Sequence, residues 1–188
     1  MKRQDFTDEQ LVGKSLEDID FFGSLVERYE KRLLNYVFRI SGFSPEIAEE
    51  ILQEVFLKVW KNLNDFSAPM KFSSWIYRIT HNETISTFRK MKSRGEPEQV
   101  ELDENLFLPD KSDFVEEFDQ EISSLAIKKV LAVLTEKYRE VLVLRFFEDK
   151  SYEEISDILQ VPSGTVATLI ARSKNSFREA SSRLNLNF

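Results

Sequence analysis

Apolar residues recur at intervals of three and four along most of this chain. Leu25, Tyr29, Leu33, Tyr36 and Ile40 make one stripe; Ile47, Ile51, Val55 and Val59 make another, flanked by Ala48, Leu52, Phe56 and Trp60. That interval is the period of an α-helix, and only five Gly and five Pro interrupt it. The pattern predicts an all-α fold. A helix over about 18–41 stops at Gly42, the residue type that most easily takes the left-handed turn after a helix. The next begins at Ser44-Pro45-Glu46, with Ser44 as N-cap, Pro45 at the first helical position and an acid in the first turn. It runs to about Leu63, with an apolar face wide enough for helices on both sides. Residues 64–70, NDFSAPM, read as a loop. Phe72, Trp75, Ile76, Ile79 and Ile85 mark a third helix ending in the basic run RKMKSR, 89–94.

Periodicity then fades. Gly95, Pro97, Pro109 and many acids over 95–117 read as a flexible acidic linker. Helical spacing returns from about 118, with Ile122, Leu125, Ile127, Val130, Leu131 and Leu134, then Val141, Leu142, Leu144 and Phe147. The expected organisation is two small helical domains, 1–95 and 118–188, joined by a linker at 96–117. Forty-one per cent hydrophobic residues, sixteen of them Phe, suffice for packed cores. The chain has no Cys, which excludes disulfides and thiolate metal sites and fits a reducing cytoplasm. It has no apolar run of about 18 residues and no secretory leader, so membrane insertion is not expected.

Net charge is −7, which argues against indiscriminate nucleic-acid binding, but the charge is segregated. From Lys71 to Arg94 six Lys/Arg face Glu83 alone, a net of +5; Gly95–Glu121 carries −10; Thr165 to the end carries +3. Two cationic segments flank an anionic one. The first interleaves Phe72, Trp75, Tyr77 and Phe88 with Arg78, Arg89, Lys90, Lys92 and Arg94. Aromatic faces stack on unpaired bases while cations hold the backbone; the competing reading is core aromatics beneath a solvated basic face. Ahead of the second, Ser151 and Glu154 form a capping box before Ile155, Ile158 and Leu159. Gln160–Pro162 make a short turn, Ser163 is placed to cap the next helix, and Val166, Ile170 and Phe177 face inward. That layout is a helix-turn-helix, whose second helix enters the major groove, or else an ordinary pair of antiparallel helices. His81 is the only His, and no Gly-rich phosphate loop is present. No catalytic residue, metal or cofactor is expected.

The stretches AEEILQEVFLKVW (48–60), FSSWIYRITHN (72–82), LTEKYREVLVLRFFEDKSYEEISDILQVPSGTV (134–166) and Arg172-Ser173-Lys174 together resemble a bacterial sigma factor of the extracytoplasmic-function group. The resemblance implies a non-enzymatic subunit that binds core RNA polymerase, through its β′ clamp and β subunits, and directs it to promoters. It implies an N-terminal domain that melts and holds the −10 element, and a C-terminal domain that reads the −35 element. By motif match Gln53, Glu54, Leu57 and Lys58 are polymerase contacts. Asn64, Asp65 and Ser67 sit in the loop that captures an unstacked base; Lys71, Arg78, Asn82, Arg89, Lys90, Lys92 and Arg94 approach −10 DNA, and Trp75 is structural. Ser163, Thr165, Thr168, Arg172, Lys174 and Arg178 are the −35 set. An anti-sigma partner is implied by the family alone, as is a linker lying in the polymerase cleft.

The chain departs from the family where Lys-Ser-Arg commonly follows GTV: here Ala167-Thr168-Leu169 stand. Loss of two phosphate contacts flattens the salt dependence of log affinity by about two, which implies a weak −35 reader. Leu169 is either core or a contact to a thymine methyl. Gln160 replaces a Gly common in the turn, at about 1 kcal/mol if its backbone is left-handed. A stand-alone helix-turn-helix regulator and a sigma-like adaptor with weakened DNA reading are the competing functions. The first leaves AEEILQEVFLKVW unexplained; the second leaves the 89–94 cations without a role.

Overall fold

The computed structural model describes residues 6–66, 70–95 and 124–186. Ser67 and the acidic segment 96–117 lie outside them. The described residues are helical, with no strand: α1 (Asp8–Ser15), α2 (Asp20–Ser41), α3 (Pro45–Lys61), a 3-10 turn (Leu63–Asp65), α4 (Phe72–Arg94), α5 (Ser124–Val133), α6 (Glu136–Phe146), α7 (Tyr152–Leu159) and α8 (Ser163–Arg183).

The N-terminal lobe is α1–α4. All five residues of the α2 stripe are buried, and so are Ala48, Ile51, Leu52, Val55 and Val59 of α3. Gly42 closes α2 with φ 72°, and Ser44 caps α3, its Oγ accepting from the Ile47 amide at 3.4 Å. α4 contributes Phe72, Ile76 and Tyr77 to the core. Its buried Thr80 and Thr84 donate their hydroxyls to carbonyls one turn back, at 2.9 and 2.8 Å, so neither is left unsatisfied. Phe72 meets Tyr29, Phe66 and Trp75 at centroid distances of 5.6–5.8 Å. Of the aromatics among the basic residues, Phe72 and Tyr77 are therefore core. Helix α1 was not expected from periodicity. A Thr7–Gln10 capping box starts it, and Asp8 ties it to α2 by accepting from Arg28 and Tyr29, both at 2.5 Å.

The C-terminal lobe is α5–α8. Helix α8 packs against α6, α7 and α5, burying Val166, Leu169, Ile170, Phe177 and Ala180. The Ser151–Glu154 capping box is present, with bonds of 3.0 and 3.2 Å. Gln160 takes the left-handed conformation, φ 53°. Ser163 is not the cap of α8: Pro162 holds that place, and Ser163 is already the first helical residue. The lobes touch. α7 lies against α4, and α6 against α2.

Candidate nucleic-acid interface

Three surfaces collect the residues singled out by sequence. The first lies at the foot of α3. A cavity of about 350 Å³ is lined by Lys58, Asn62, Asp65, Trp75, Ile79, Asn82 and Glu83. Asn62 is fixed by the helix it ends, its Nδ2 donating to the Lys58 carbonyl at 2.7 Å. Trp75 is held by Phe66 (5.3 Å) and Phe72 (5.8 Å), so it offers a wall to the cavity while packed from behind. Asp65 and Asn82 are exposed and meet here from the 3-10 turn and from α4. Amide, carboxylate and indole around one recess can satisfy the edge and the face of an unpaired base. Asn64 is exposed beside them but does not line the recess.

From this cavity the exposed side of α4 continues as a cationic ridge. Arg78 is half-buried; Arg89, Lys90, Lys92 and Arg94 are exposed. A second recess of about 520 Å³ runs along it, lined by His81, Asn82, Ile85, Ser86, Arg89, Lys90 and Ser93. Asn82 borders both recesses. His81 is held neutral: burial first, then the Arg89 charge, push its pKa down to about 4. Its Nδ1 lies 3.2 Å from the Tyr36 hydroxyl. Among the described residues no group of three His, Cys, Asp or Glu is placed to hold a metal ion.

The second surface is an apolar groove between α2 and α3, of about 790 Å³. Ile19, Phe22, Val26, Leu52, Phe56 and Trp60 form its walls. Gln53 and Leu57 line it, and Leu57 is 50% exposed and Ile19 62% exposed. Glu54 is exposed but does not line it. Lys58 is not on this side: its Nζ lies 2.5 Å from Glu83 of α4, at the rim of the smaller cavity. Motif match alone could not separate Lys58 from Leu57, because neighbours in sequence sit on different faces of a helix.

The third surface is the outer side of α8. Gly164, Thr168, Ala171, Arg172, Asn175 and Arg178 are exposed along it. Arg178 donates to Asn175 at 3.4 Å, and Thr168 donates to the Gly164 carbonyl at 3.2 Å. Thr165 is half-buried at the edge, and Lys174 lies back over the Phe146 ring at 5.1 Å. Leu169, 5% exposed, is core. The face is shallow, since Gly164, Ala167 and Ala171 add little bulk, and small side chains let a helix backbone approach a groove closely. Asn175 was missed by sequence reading; its signal is its spacing of three and seven from Arg172 and Thr168. No side chain caps α8; the Thr165 and Val166 amides donate back to the Pro162 carbonyl, at 2.8 and 3.2 Å.

Known proteins resemble this chain in both lobes. The sigma-70 region 2 family matches residues 25–94, and the sigma-70 region 4 family matches 124–177. The extracytoplasmic-function RNA polymerase sigma factor SigW of Bacillus subtilis is 34% identical over 187 residues, covering 91% of this chain and 97% of that protein. The sigma-E factor of Escherichia coli K12 is 28% identical, covering 91% and 92%. Among solved structures, the sigma factor RpoE in complex with the anti-sigma factor NepR from Bartonella quintana has the same fold. Its TM-score is 0.67 at 22% identity, covering 86% of this chain and 96% of that one. CnrH in complex with the cytosolic domain of CnrY also gives 0.67, at 21% identity, covering 95% and 97%.

Proposed function

As the chain belongs to the sigma-70 family, in its extracytoplasmic-function group, and so directs RNA polymerase to promoters, we propose that Asn62, Asp65 and Asn82 form the pocket that captures an unpaired promoter base. The observation that carries this is the convergence of those three polar side chains with Trp75 on one recess, beside the cations of α4. Removing a base from its stack costs a few kcal/mol; polar contacts to its exposed edge recover that cost selectively. Lys71, Arg78, Arg89, Lys90, Lys92 and Arg94 hold the adjoining phosphates without reading sequence.

The α2–α3 groove takes an amphipathic helix of the polymerase, with Leu57 and Gln53 at the contact and Glu54 at its edge. Apolar walls with a polar rim suit such a helix-in-groove contact. The −35 element meets the outer face of α8. Thr168 and Arg172 stand at its centre, Ser163 and Thr165 at its leading edge, and Arg178 toward the far end. With Arg172 and Arg178 as the cations along it, that face binds weakly alone and depends on tethering to polymerase for local concentration. The domain division falls at 1–95 and 118–188. The protein acts in the cytoplasm, catalyses no reaction itself, and binds an anti-sigma protein, as the sigma factor RpoE of Bartonella quintana does in its complex with NepR.

The test is run-off transcription with core polymerase on one promoter. Asn82→Ala combined with Asp65→Ala lowers open-complex formation at least tenfold, read by permanganate reactivity of unpaired thymines, with polymerase binding unchanged. Undiminished strand opening by that variant removes the pocket from the account.

A further inference from the structure

Between Lys71 and Arg94 the chain carries six cations and a single acid, Glu83. A carboxylate on a helix that approaches DNA repels phosphates, so its place there calls for a reason. Glu83 follows Asn82 on α4, and both line the recess at the foot of α3. Its Oε1 accepts from the Lys58 ammonium of α3 at 2.5 Å. The Lys58 side chain is 45% exposed and that of Glu83 21%. An ion pair so open to water adds little to stability. It does fix where the carboxylate stands, and it offsets part of the charge that the DNA backbone would meet.

Hydrogen-bonding capacity around the recess is unbalanced. Asp65, exposed on its wall, is an acceptor through both oxygens. Glu83 is an acceptor too, and its Oε2 makes no hydrogen bond among the described residues. Asn62 has given one amide hydrogen to the Lys58 carbonyl at 2.7 Å. Lys58, the cation of that wall, is turned toward Glu83. The walls therefore offer more acceptors than donors, and a base that enters must bring donors of its own. Cytosine, adenine and guanine each carry an exocyclic amino group, whereas thymine carries a carbonyl oxygen in that place. The one ring N–H of thymine is flanked by two carbonyl oxygens, which a carboxylate repels. Carboxylates commonly read cytosine by accepting from its amino group. The Trp75 indole supplies the flat wall on which any of these rings can lie.

We propose that Glu83, anchored by Lys58, is a specificity-determining residue of this recess: it selects a captured base that carries an exocyclic amino group and rejects thymine. This rests on the base-capture reading above and adds the choice of base to it.

The test is run-off transcription by core polymerase with the full-length chain, on promoters altered at one non-template position at a time across the opened segment. Each altered base faces an abasic template position, so that pairing strength does not enter. An abasic non-template residue first locates the capture. At one position it lowers transcript yield with the unmodified chain and has no further effect with Asn82→Ala/Asp65→Ala. At that position 5-methylcytosine is then compared with thymine, since the two share the ring methyl and differ by an amino against a carbonyl group. The unmodified chain favours 5-methylcytosine at least tenfold, the scale of about one hydrogen bond to a charged group. Glu83→Gln, whose amide both donates and accepts, brings the two bases within about twofold of each other, and so does Glu83→Ala. Melting temperatures stay level in both variants. A pair that only tied α3 to α4 would lower yield on both bases alike and leave their ratio in place. Equal use of the two bases by the unmodified chain, or a preference that survives both substitutions, overturns the assignment while the capture position stands. If no position responds to the abasic residue, the base-capture reading itself fails, and the selection falls with it.

Discussion

Glu140 is a buried carboxyl on α6, and replacing it with Gln turns its cost into a measurable quantity. Burial, then the neighbouring Glu136, raise its pKa from the ordinary 4.5 to about 7, against the pull of Arg139 and Arg89. Below pH 4.5 the group is protonated in folded and unfolded chains alike and costs nothing. Between 4.5 and about 7 the unfolded chain ionises while the folded one does not, so stability drains as pH rises. Above 7 the loss is complete. At about 1.36 kcal/mol per pH unit, that span amounts to about 3 kcal/mol. Glu140→Gln keeps the shape and removes the titration. Urea unfolding followed by far-ultraviolet circular dichroism, at four pH values from 4.5 to 7.5, gives the stability difference between variant and parent. It grows in the variant's favour by about 3 kcal/mol across that range. A difference that stays level with pH refutes the reasoning.

The opposite slope belongs to His81, whose pKa is pushed from 6.5 down to about 4. The folded state then loses stability as pH falls through that window, and His81→Asn gains about 3 kcal/mol on its parent between pH 6.5 and 4 in the same assay. Gln160→Gly relieves the left-handed backbone at the helix-turn-helix corner and raises stability by about 1 kcal/mol, read from the urea midpoint. Leu57→Ala strips the exposed anchor of the α2–α3 groove; it weakens association with core polymerase at least tenfold by titration calorimetry and leaves the melting temperature unchanged. Ala167→Lys returns one cation to the outer side of α8 and steepens the slope of log affinity against log salt by about one for −35 duplex.

Much of the fold is legible in the sequence because burial leaves a period. The α2 stripe from Leu25 to Ile40 and the α3 stripe from Ile47 to Val59 could be read without coordinates, as could Gly42 and the Ser151–Glu154 box, whose chemistry is local. Helix α1 was not, because eight residues with few apolar positions hardly show a period; its Thr7–Gln10 box was the available signal. Ser163 looked like a cap because of its residue type, yet the extended backbone falls one residue earlier, on Pro162. Leu169 stayed open because three residues from Val166 is compatible with the core face or its border, and only packing against α6 and α7 decides. The recess at the foot of α3 joins Asn62 and Asp65 to Asn82, on separate elements, and no spacing rule connects them. The pairing of Arg39 with Glu148 spans 109 positions. Its one trace in the sequence is a cation set between Phe38 and Ile40, in a stretch of α2 otherwise built for burial.

The central claim is that this chain gives core polymerase its promoter choice. Purified core polymerase, transcribing a library of fragments with and without the protein, tests it most directly. The account predicts a set of discrete run-off transcripts that depend on the added chain and share a common upstream pair of elements. Transcripts that are the same in both reactions, or a polymerase that never associates with the protein, would contradict it.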